Sequence, residues 1–310
     1  MIDVCLLGTG GMMPLPKRSL TSLLVRYNGR CILVDCGEAT QIALRRAEWS
    51  PKPIDVMCFT HYHADHISGL PGMLLTMGNA DRTEDLLMVG PKGLERVVTA
   101  LRTIAPELPF AIRFHELKGA EETIALPDMP EFSLSAFKVN HNIVCYGYDF
   151  RLARAGKFDA LKAETLVSDK RKWGRLQKGE SVTGDDGSLV TSDMVMGKAR
   201  QGLHVTYTTD TRPCDSIVKY AQGADLFICE GMYGEPGMEE KAVSHKHMTF
   251  TEAARLAKQA HVKELWLTHY SPSLIRPQDY LDTARAIFEN TVAPRDGRVK
   301  ELKFAEESDG

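Results

Sequence analysis

"FTHYHADHISGLPG", from Phe59 to Gly72, packs three histidines and an aspartate into the six residues His61–His66. It continues the apolar run "IDVMCFT", so metal-seeking side chains appear where a buried strand is predicted to end. In an extended segment alternate residues share a face, which turns His61, His63 and Asp65 the same way. His66 then opens the following helix and turns back toward the same point. Imidazoles and a carboxylate that converge suit zinc or another divalent first-row metal. A surface cluster of strand-end histidines is the plain alternative, but such density is rarely accidental.

Ligands in α/β proteins collect outside the carboxyl ends of strands. Three more strand-like runs close on a metal-capable residue: "FSLSAFKVNH" on His141, "LHVTYTTD" on Asp210 and "ELWLTH" on His269. With His61, His63, Asp65 and His66 they make seven candidate ligands, five histidines and two aspartates. That exceeds one tetrahedral ion and suffices for two that share a carboxylate.

Around these motifs short β-rich runs alternate with helical patterns. Two β-rich halves bearing helices predict two sheets face to face with helices outside, a four-layer α/β arrangement over 1–310. Between 151 and 201 the pattern weakens into a polar, glycine-dotted stretch that reads as an insertion projecting from the core. Over Arg151–Glu180 nine Lys/Arg face four Asp/Glu, a local positive excess in a chain of net charge −3. No global basic bias announces nucleic acid, so such a surface is local. The 310 residues, 43% hydrophobic and 25% charged, describe an ordinary globular protein. "MIDVCLLGTGG" reads as a first strand rather than a signal peptide, and no apolar run reaches membrane-spanning length. The seven cysteines are odd in number and scattered, without a Cys-x-x-Cys pair. Reduced, buried thiols and a cytoplasmic compartment are the expectation.

At this point the chain resembles the metallo-β-lactamase fold, and more narrowly the ribonuclease Z family of endonucleases that mature the 3′ end of transfer RNA. The resemblance runs through "LLGTGGMMPLPKRS", "VDCGEATQ" from Val34, "GLPG" behind the cluster and "HNIVCYGY" from His141. It continues through "TDTRPCD" from Thr209, "CEGMY" around Glu230, "HMTFTEAA" from His247 and "LTHYS" at His269. The cluster alone marks the superfamily. "GEATQ", the His141 segment ending in "CYGY", and His247 ahead of a helix point to the narrower family.

The resemblance implies an αββα sandwich with a projecting basic insertion, two Zn²⁺ per chain, precursor tRNA as substrate and a homodimer. His61, His63 and His141 would hold one zinc, Asp65, His66 and His269 the other, and Asp210 would bridge them. Manganese or iron would suit the same ligands. Asp65 would orient the attacking water or take its proton. His247 would protonate the leaving 3′-oxygen, with Glu230 orienting its ring. Lys17 and Arg18 would hold RNA phosphate near the cleavage point. The insertion, with Lys170, Arg171, Lys172 and Arg175, would grip the tRNA elbow through phosphates.

Other polar residues read more plainly. Asp35 is expected to order the metal-site loops, Glu38 to cap the next helix or contact its neighbours, and Thr249 or Thr251 to cap the helix after His247. His115, His204, His245 and His261 read as structural or surface residues. "GTGG" at Gly8–Gly11 reads as a tight turn, because a proline-bearing loop follows it and no helix is there to hold a pyrophosphate. Two rival functions remain. One is a small-molecule hydrolase of the same fold, cleaving a lactone, thioester or phosphodiester. The other is a metal-bearing RNA-binding scaffold without turnover, disfavoured by the intact ligand set.

Overall fold

A computed structural model describes residues 1–305. The apolar runs become strands β1 (Ile2–Gly8), β2 (Ser22–Tyr27), β3 (Arg30–Val34), β4 (Ile54–Cys58), β5 (Leu86–Pro91) and β6 (Ile112–Leu117). They are followed by β7 (Glu121–Ile124), β8 (Phe132–Val139) and β9 (Cys145–Arg154), then by β10 (Val182–Thr183) and β11 (Leu189–Val190). The chain continues through β12 (Arg200–Tyr207), β13 (Leu226–Glu230), β14 (Leu265–Thr268), β15 (Thr291–Val292) and β16 (Arg298–Leu302). One seven-stranded sheet has the order β16-β1-β2-β3-β4-β5-β6, and the other β15-β14-β13-β12-β9-β8-β7.

Both sheets are mixed. β1 pairs antiparallel with β16 and β2, whereas β3 to β6 run parallel. In the second sheet β12 to β15 run parallel and β7 pairs antiparallel with β8. Parallel neighbours need crossovers, and helical crossovers cover the sheet faces. Leu33 and Met57 pack with Leu70, Met73, Leu74 and Met77 of the helix Leu70–Gly78. Phe227, Leu265 and Leu267 pack with Ala253, Ala254 and Ala257 of the helix Phe250–Gln259. The result is the expected α/β sandwich, two sheets inside and helices outside.

Several elements differ from the sequence reading. The helix expected to open at His66 is two helices, Ala64–Ile67 and Leu70–Gly78, the second with Pro71 in its first turn. β16 was not expected, because it is a largely exposed edge strand in which only Leu302 is buried. The helix Glu239–His245 buries only Ala242, so no apolar stripe announced it. Glu38 does not cap the next helix: Thr40–Arg46 starts from Ala39, with no side-chain cap. Thr249 does cap Phe250–Gln259, its hydroxyl accepting the Glu252 N–H. After Gly8 the chain forms a loop, with Gly10 bridged to Leu20 and Tyr270.

The chain divides into two compact units, Met1–Arg151 with Leu203–Gly310, and Leu152–Gly202. The smaller unit has its own core of Ala163, Val167, Leu176, Val182, Val190 and Val195, against which Phe158, Leu166 and Trp173 pack. All seven cysteines are free and six are buried. Burial pushes the Cys5 and Cys36 thiols up to about 12, which leaves them inert. No described helix is long and apolar enough to cross a membrane.

Below the histidine cluster two backbones touch. The Gly69 N–H donates to Cys36 O (2.9 Å) and the Cys36 N–H to His66 O (2.7 Å). A Cβ at Gly69 would lie 2.1 Å from Gly37 O, a collision with main chain that no rotamer relieves. Gly69→Ala should therefore cost about 1–3 kcal/mol. Gly174→Ala is the control: that glycine is inside the helix Trp173–Gln177 with nothing within 4 Å of its would-be Cβ. It should gain about 0.5–1 kcal/mol. Thermal denaturation of the two variants checks this, and equal midpoints would refute the backbone-contact argument.

Candidate metal centre

Six residues of the site stand just past the carboxyl end of a strand. Asp35 follows β3, His61 and His63 follow β4, His141 follows β8, Asp210 follows β12 and His269 follows β14. Asp65 departs from the expected strand face. A helix begins at Ala64, after His63 with φ −69° and ψ 151°, so Asp65 leaves the face shared by His61 and His63, while the His66 ring stays 4.2 Å from that of His61.

Two donor groups result. In the first, His63 Nδ1 lies 3.0 Å from His61 Nε2 and 3.3 Å from His141 Nε2. Asp210 Oδ2 is 3.8 and 3.7 Å from the same two Nε2 atoms. In the second, His66 Nε2 and His269 Nε2 are 3.3 Å apart. Asp65 Oδ2 lies 3.6 and 3.3 Å from them, and Asp210 Oδ1 lies 3.1 Å from each. Tetrahedral zinc with Zn–N bonds of about 2.0–2.1 Å places its nitrogen ligands about 3.3 Å apart.

The protons show why these nitrogens face one another. Asp35 is fully buried and accepts from Thr60 N (2.8 Å), Thr60 Oγ1 (2.8 Å) and His66 Nδ1 (2.7 Å). That hydrogen bond keeps His66 protonated on Nδ1 and turns its Nε2 lone pair inward. Thr60 Oγ1, its proton given to Asp35, accepts from His61 Nδ1 (3.0 Å), which frees His61 Nε2. His141 Nδ1 donates to Lys246 O (3.2 Å), which frees His141 Nε2. The inward nitrogens of His61 and His141 thus face His63, and that of His66 faces His269, across 3.0–3.3 Å, a spacing that a shared cation suits. The donor set therefore fits divalent metal.

Charge points the same way. Burial and then the neighbouring His66 hold the His61 imidazole well below its usual value, so it is neutral with a lone pair to offer. Burial likewise lowers His141. Burial also acts to lower His66, but Asp210 and Asp35 overcome it and drive His66 well above the ordinary range. The pocket's negative charge calls for a cation. Asp35 (φ 59°) and His269 (φ 57°) hold left-handed backbone without being glycine, a cost found where surroundings fix a functional geometry. Gly11 lies against the His269 ring, where a Cβ would meet Cε1 at 2.5 Å. The Met12 N–H donates to Asp65 Oδ2 (2.7 Å).

Beside the donors, His247 Nδ1 lies 3.2 Å from Glu230 Oε2 and 3.9 Å from Asp210 Oδ2. Burial acts to lower the His247 pKa, but Glu230, then Asp210 and Asp65, carry it up to about 9. Glu230 is fully buried and also accepts from Met248 N (3.1 Å) and Thr211 N. His247 could also join Asp210 and His269 as a third donor group.

Comparison with known proteins agrees with this geometry. The metallo-beta-lactamase superfamily profile matches residues 16–227. The ribonuclease Z of Lachnospira eligens is 60% identical over 307 residues, covering 99% of this chain and 100% of the relative. That of Lachnoclostridium phytofermentans is 55% identical over 304 residues, covering 98% and 99%. The chain belongs to the ribonuclease Z family. Human tRNase Z, short form, shares the fold, with a TM-score of 0.70 at 23% identity over 97% of this chain and 100% of that one.

The other candidates of this ribonuclease Z family member lie in varied settings. Arg18 is engaged by the protein itself: its guanidinium donates to Ser271 O (3.3 Å), Leu274 O (2.8 Å) and Ile275 O (2.9 Å). Lys17 is exposed beside it on a cleft of about 760 Å³ that Tyr270, Ile275 and Arg295 also line. In the smaller unit each named cation has a local partner. Lys170 lies 3.8 Å from Glu164, Arg171 2.9 Å from Asp169, and Arg175 2.7 Å from Glu180. Lys172 Nζ donates to Thr183 O (2.9 Å). His115 pairs with Glu122 (2.6 Å) and His204 with Asp149 (2.6 Å). Sequence reasoning missed Arg212, Met12 and Thr60. Each acts through backbone or an already chosen ligand, which no spacing reveals.

Replacing Asp35 tests the proton argument. Asp35→Ala removes the acceptor that fixes His66 and Thr60, and such changes lower metal affinity about 10–100-fold. Chelator competition for Zn²⁺ should read that drop while circular dichroism stays native. Unchanged affinity would mean that Asp35 has no hold on the ligand.

Proposed function

We propose that this chain is a dinuclear zinc endoribonuclease that cleaves the 3′ trailer from precursor tRNA and leaves a tRNA 3′-hydroxyl. The observation that carries the reading is Asp210, whose two carboxylate oxygens each face one donor group. It is supported by whole-length identity to ribonuclease Z relatives. His61, His63 and His141 would hold one metal and Asp65, His66 and His269 the other, with Asp210 shared between the two groups. Divalent ions bound there would supply the Lewis acidity for a nucleophile near neutral pH and for charge on the phosphate oxygens.

The side chains do the rest. Asp65, steadied by the Met12 N–H, orients the attacking water and accepts its proton. The bond from phosphorus to the 3′-oxygen breaks, and that oxygen takes the proton of His247. The trailer departs with the phosphate. Glu230 on Nδ1 leaves Nε2 as the donating nitrogen and favours the charged ring. A donor protonated at neutral pH beside a developing alkoxide fits general-acid catalysis. The insertion contributes affinity through phosphate contacts from Lys170, Arg171, Lys172 and Arg175, with Lys17 and Arg18 nearer the cleavage point. Arg18 must then act by shaping its loop or by exchanging carbonyls for phosphate. The family resemblance supports a homodimer, and the free cysteines support a cytoplasmic location.

His247→Ala tests the chemistry. Cleavage of precursor tRNA should slow about 10²–10⁴-fold, while elemental analysis still finds about two divalent ions per chain. Loss of metal would make His247 a ligand, and undiminished cleavage would refute the acid role.

Alanine at Lys170, Arg171, Lys172 and Arg175 together tests the substrate. Precursor-tRNA binding should weaken and its salt dependence become shallower, by a slope of about 0.7–0.9 for each phosphate left without its cation. Hydrolysis of bis(p-nitrophenyl) phosphate should hold. Unchanged tRNA processing would remove the insertion from substrate binding and favour a small-molecule substrate.

A further inference from the structure

Arg212 follows the bridging aspartate by two residues, yet its side chain turns away toward the His247 loop. Its Nη1 donates to His247 O (2.5 Å) and Glu252 Oε2 (3.0 Å), and Nη2 donates to Glu252 Oε1. The pair is largely enclosed, with side-chain exposures of 15% and 14%. Glu252 is itself fixed, because it accepts the Thr249 N–H (2.9 Å) in the capping box of the helix Phe250–Gln259. The Arg212 backbone is fixed too, its N–H donating to Asn140 O (2.9 Å) next to the ligand His141.

Three consecutive residues of the His247 loop are thus laced to the metal-site strands. Lys246 O takes His141 Nδ1, His247 O takes Arg212, and the Met248 N–H goes to Glu230. Lys246 has left-handed backbone (φ 62°), a bend that needs outside support in a residue with a side chain. Glu230 sets the rotation of the ring. Arg212 holds the main chain from which the ring hangs.

We propose that Arg212, clamped on Glu252, is a positioning residue that fixes the distance between the proton donor His247 and the bond it serves. A bidentate guanidinium suits this, because its planar fork sets direction as well as distance. Lysine offers one point of charge and cannot span the His247 carbonyl and both Glu252 oxygens in that geometry. Misplacing a catalytic group by about 1 Å costs about 10²-fold. The inference rests on His247 as the leaving-group acid.

Leaving groups separate this role from a merely structural one. A ribose 3′-oxygen needs a proton to depart, whereas p-nitrophenolate does not. Arg212→Met and Arg212→Lys should lower the kcat ratio of precursor tRNA to bis(p-nitrophenyl) phosphate about 10–100-fold, with KM and zinc content held. Arg212→Lys carries the test if Arg212→Met does not fold. An equal fall on both substrates, or a fall with loss of zinc, would overturn the proposal in favour of general scaffolding. His247→Ala measured alongside isolates the premise. If that variant keeps the parent ratio, the acid reading itself fails. If it loses the ratio and the Arg212 variants keep it, only the positioning role fails. In the His247→Ala background a further Arg212→Lys change should have less than about twofold effect on the ratio, because residues acting as one unit are non-additive.

Discussion

Seven donor side chains converge on a largely buried point, where positive charge must balance the carboxylates. Asp210 is almost entirely buried with both carboxylate oxygens in use, and His66 and His269 are wholly buried beside it. His66 rises well above the usual imidazole range, while Asp210 falls well below the carboxylate range once the nearby histidines outweigh burial. Metal ions displace protons, so filling the site and deprotonating it are one event. That linkage also fixes tautomers. A carboxylate, a threonine hydroxyl and a main-chain carbonyl hold the far nitrogens of His66, His61 and His141, so the near nitrogens are ready without rearrangement.

Such a cluster needs a rigid base, because folding must bring the donors together. The two sheets supply it. β4 and β14 are almost wholly buried, and helices pack on both sheets, so the strand ends are anchored by apolar burial on the order of 25 cal/mol per Å². The remaining precision comes from main chain. Gly37 and Gly69 permit two loops to touch, and Asp35 and His269 accept left-handed backbone. Strain at those positions is tolerable only because the packed strands beneath do not yield.

The seven candidate ligands were legible because each ends or follows a strongly patterned strand, and strand ends are where α/β proteins gather ligands. Their grouping was less legible. Extended geometry put Asp65 with His61 and His63, and the helix beginning at Ala64 moved it to the other group. Buried elements with a clear period were readable. β16 and the helix Glu239–His245 were not, because each buries a single residue. The basic insertion was visible as composition, but composition does not show pairing. The small core around Trp173 depends on chain reversal within the unit, whereas Arg171 and Arg175 pair with acids only two and five residues away. Arg212 stood in the quoted "TDTRPCD", yet its partners are a carbonyl and a glutamate forty residues on.

Those long-range partners tie the His247 loop and the donor groups into one object. The segment 210–212 gives Asp210 to the donors, the Thr211 N–H to Glu230 and the Arg212 side chain to the His247 loop. A displacement of β12's end would therefore pull on Asp210, Glu230 and the loop of His247 together. Had the acid hung from an independent loop, its aim would vary with that loop's motion and the proton would arrive at the wrong point of the reaction. The basic residues of Leu152–Gly202 belong to a unit with a separate core. Each hydrogen bond of this lacing joins residues outside that unit, so a change of charge there removes none of them.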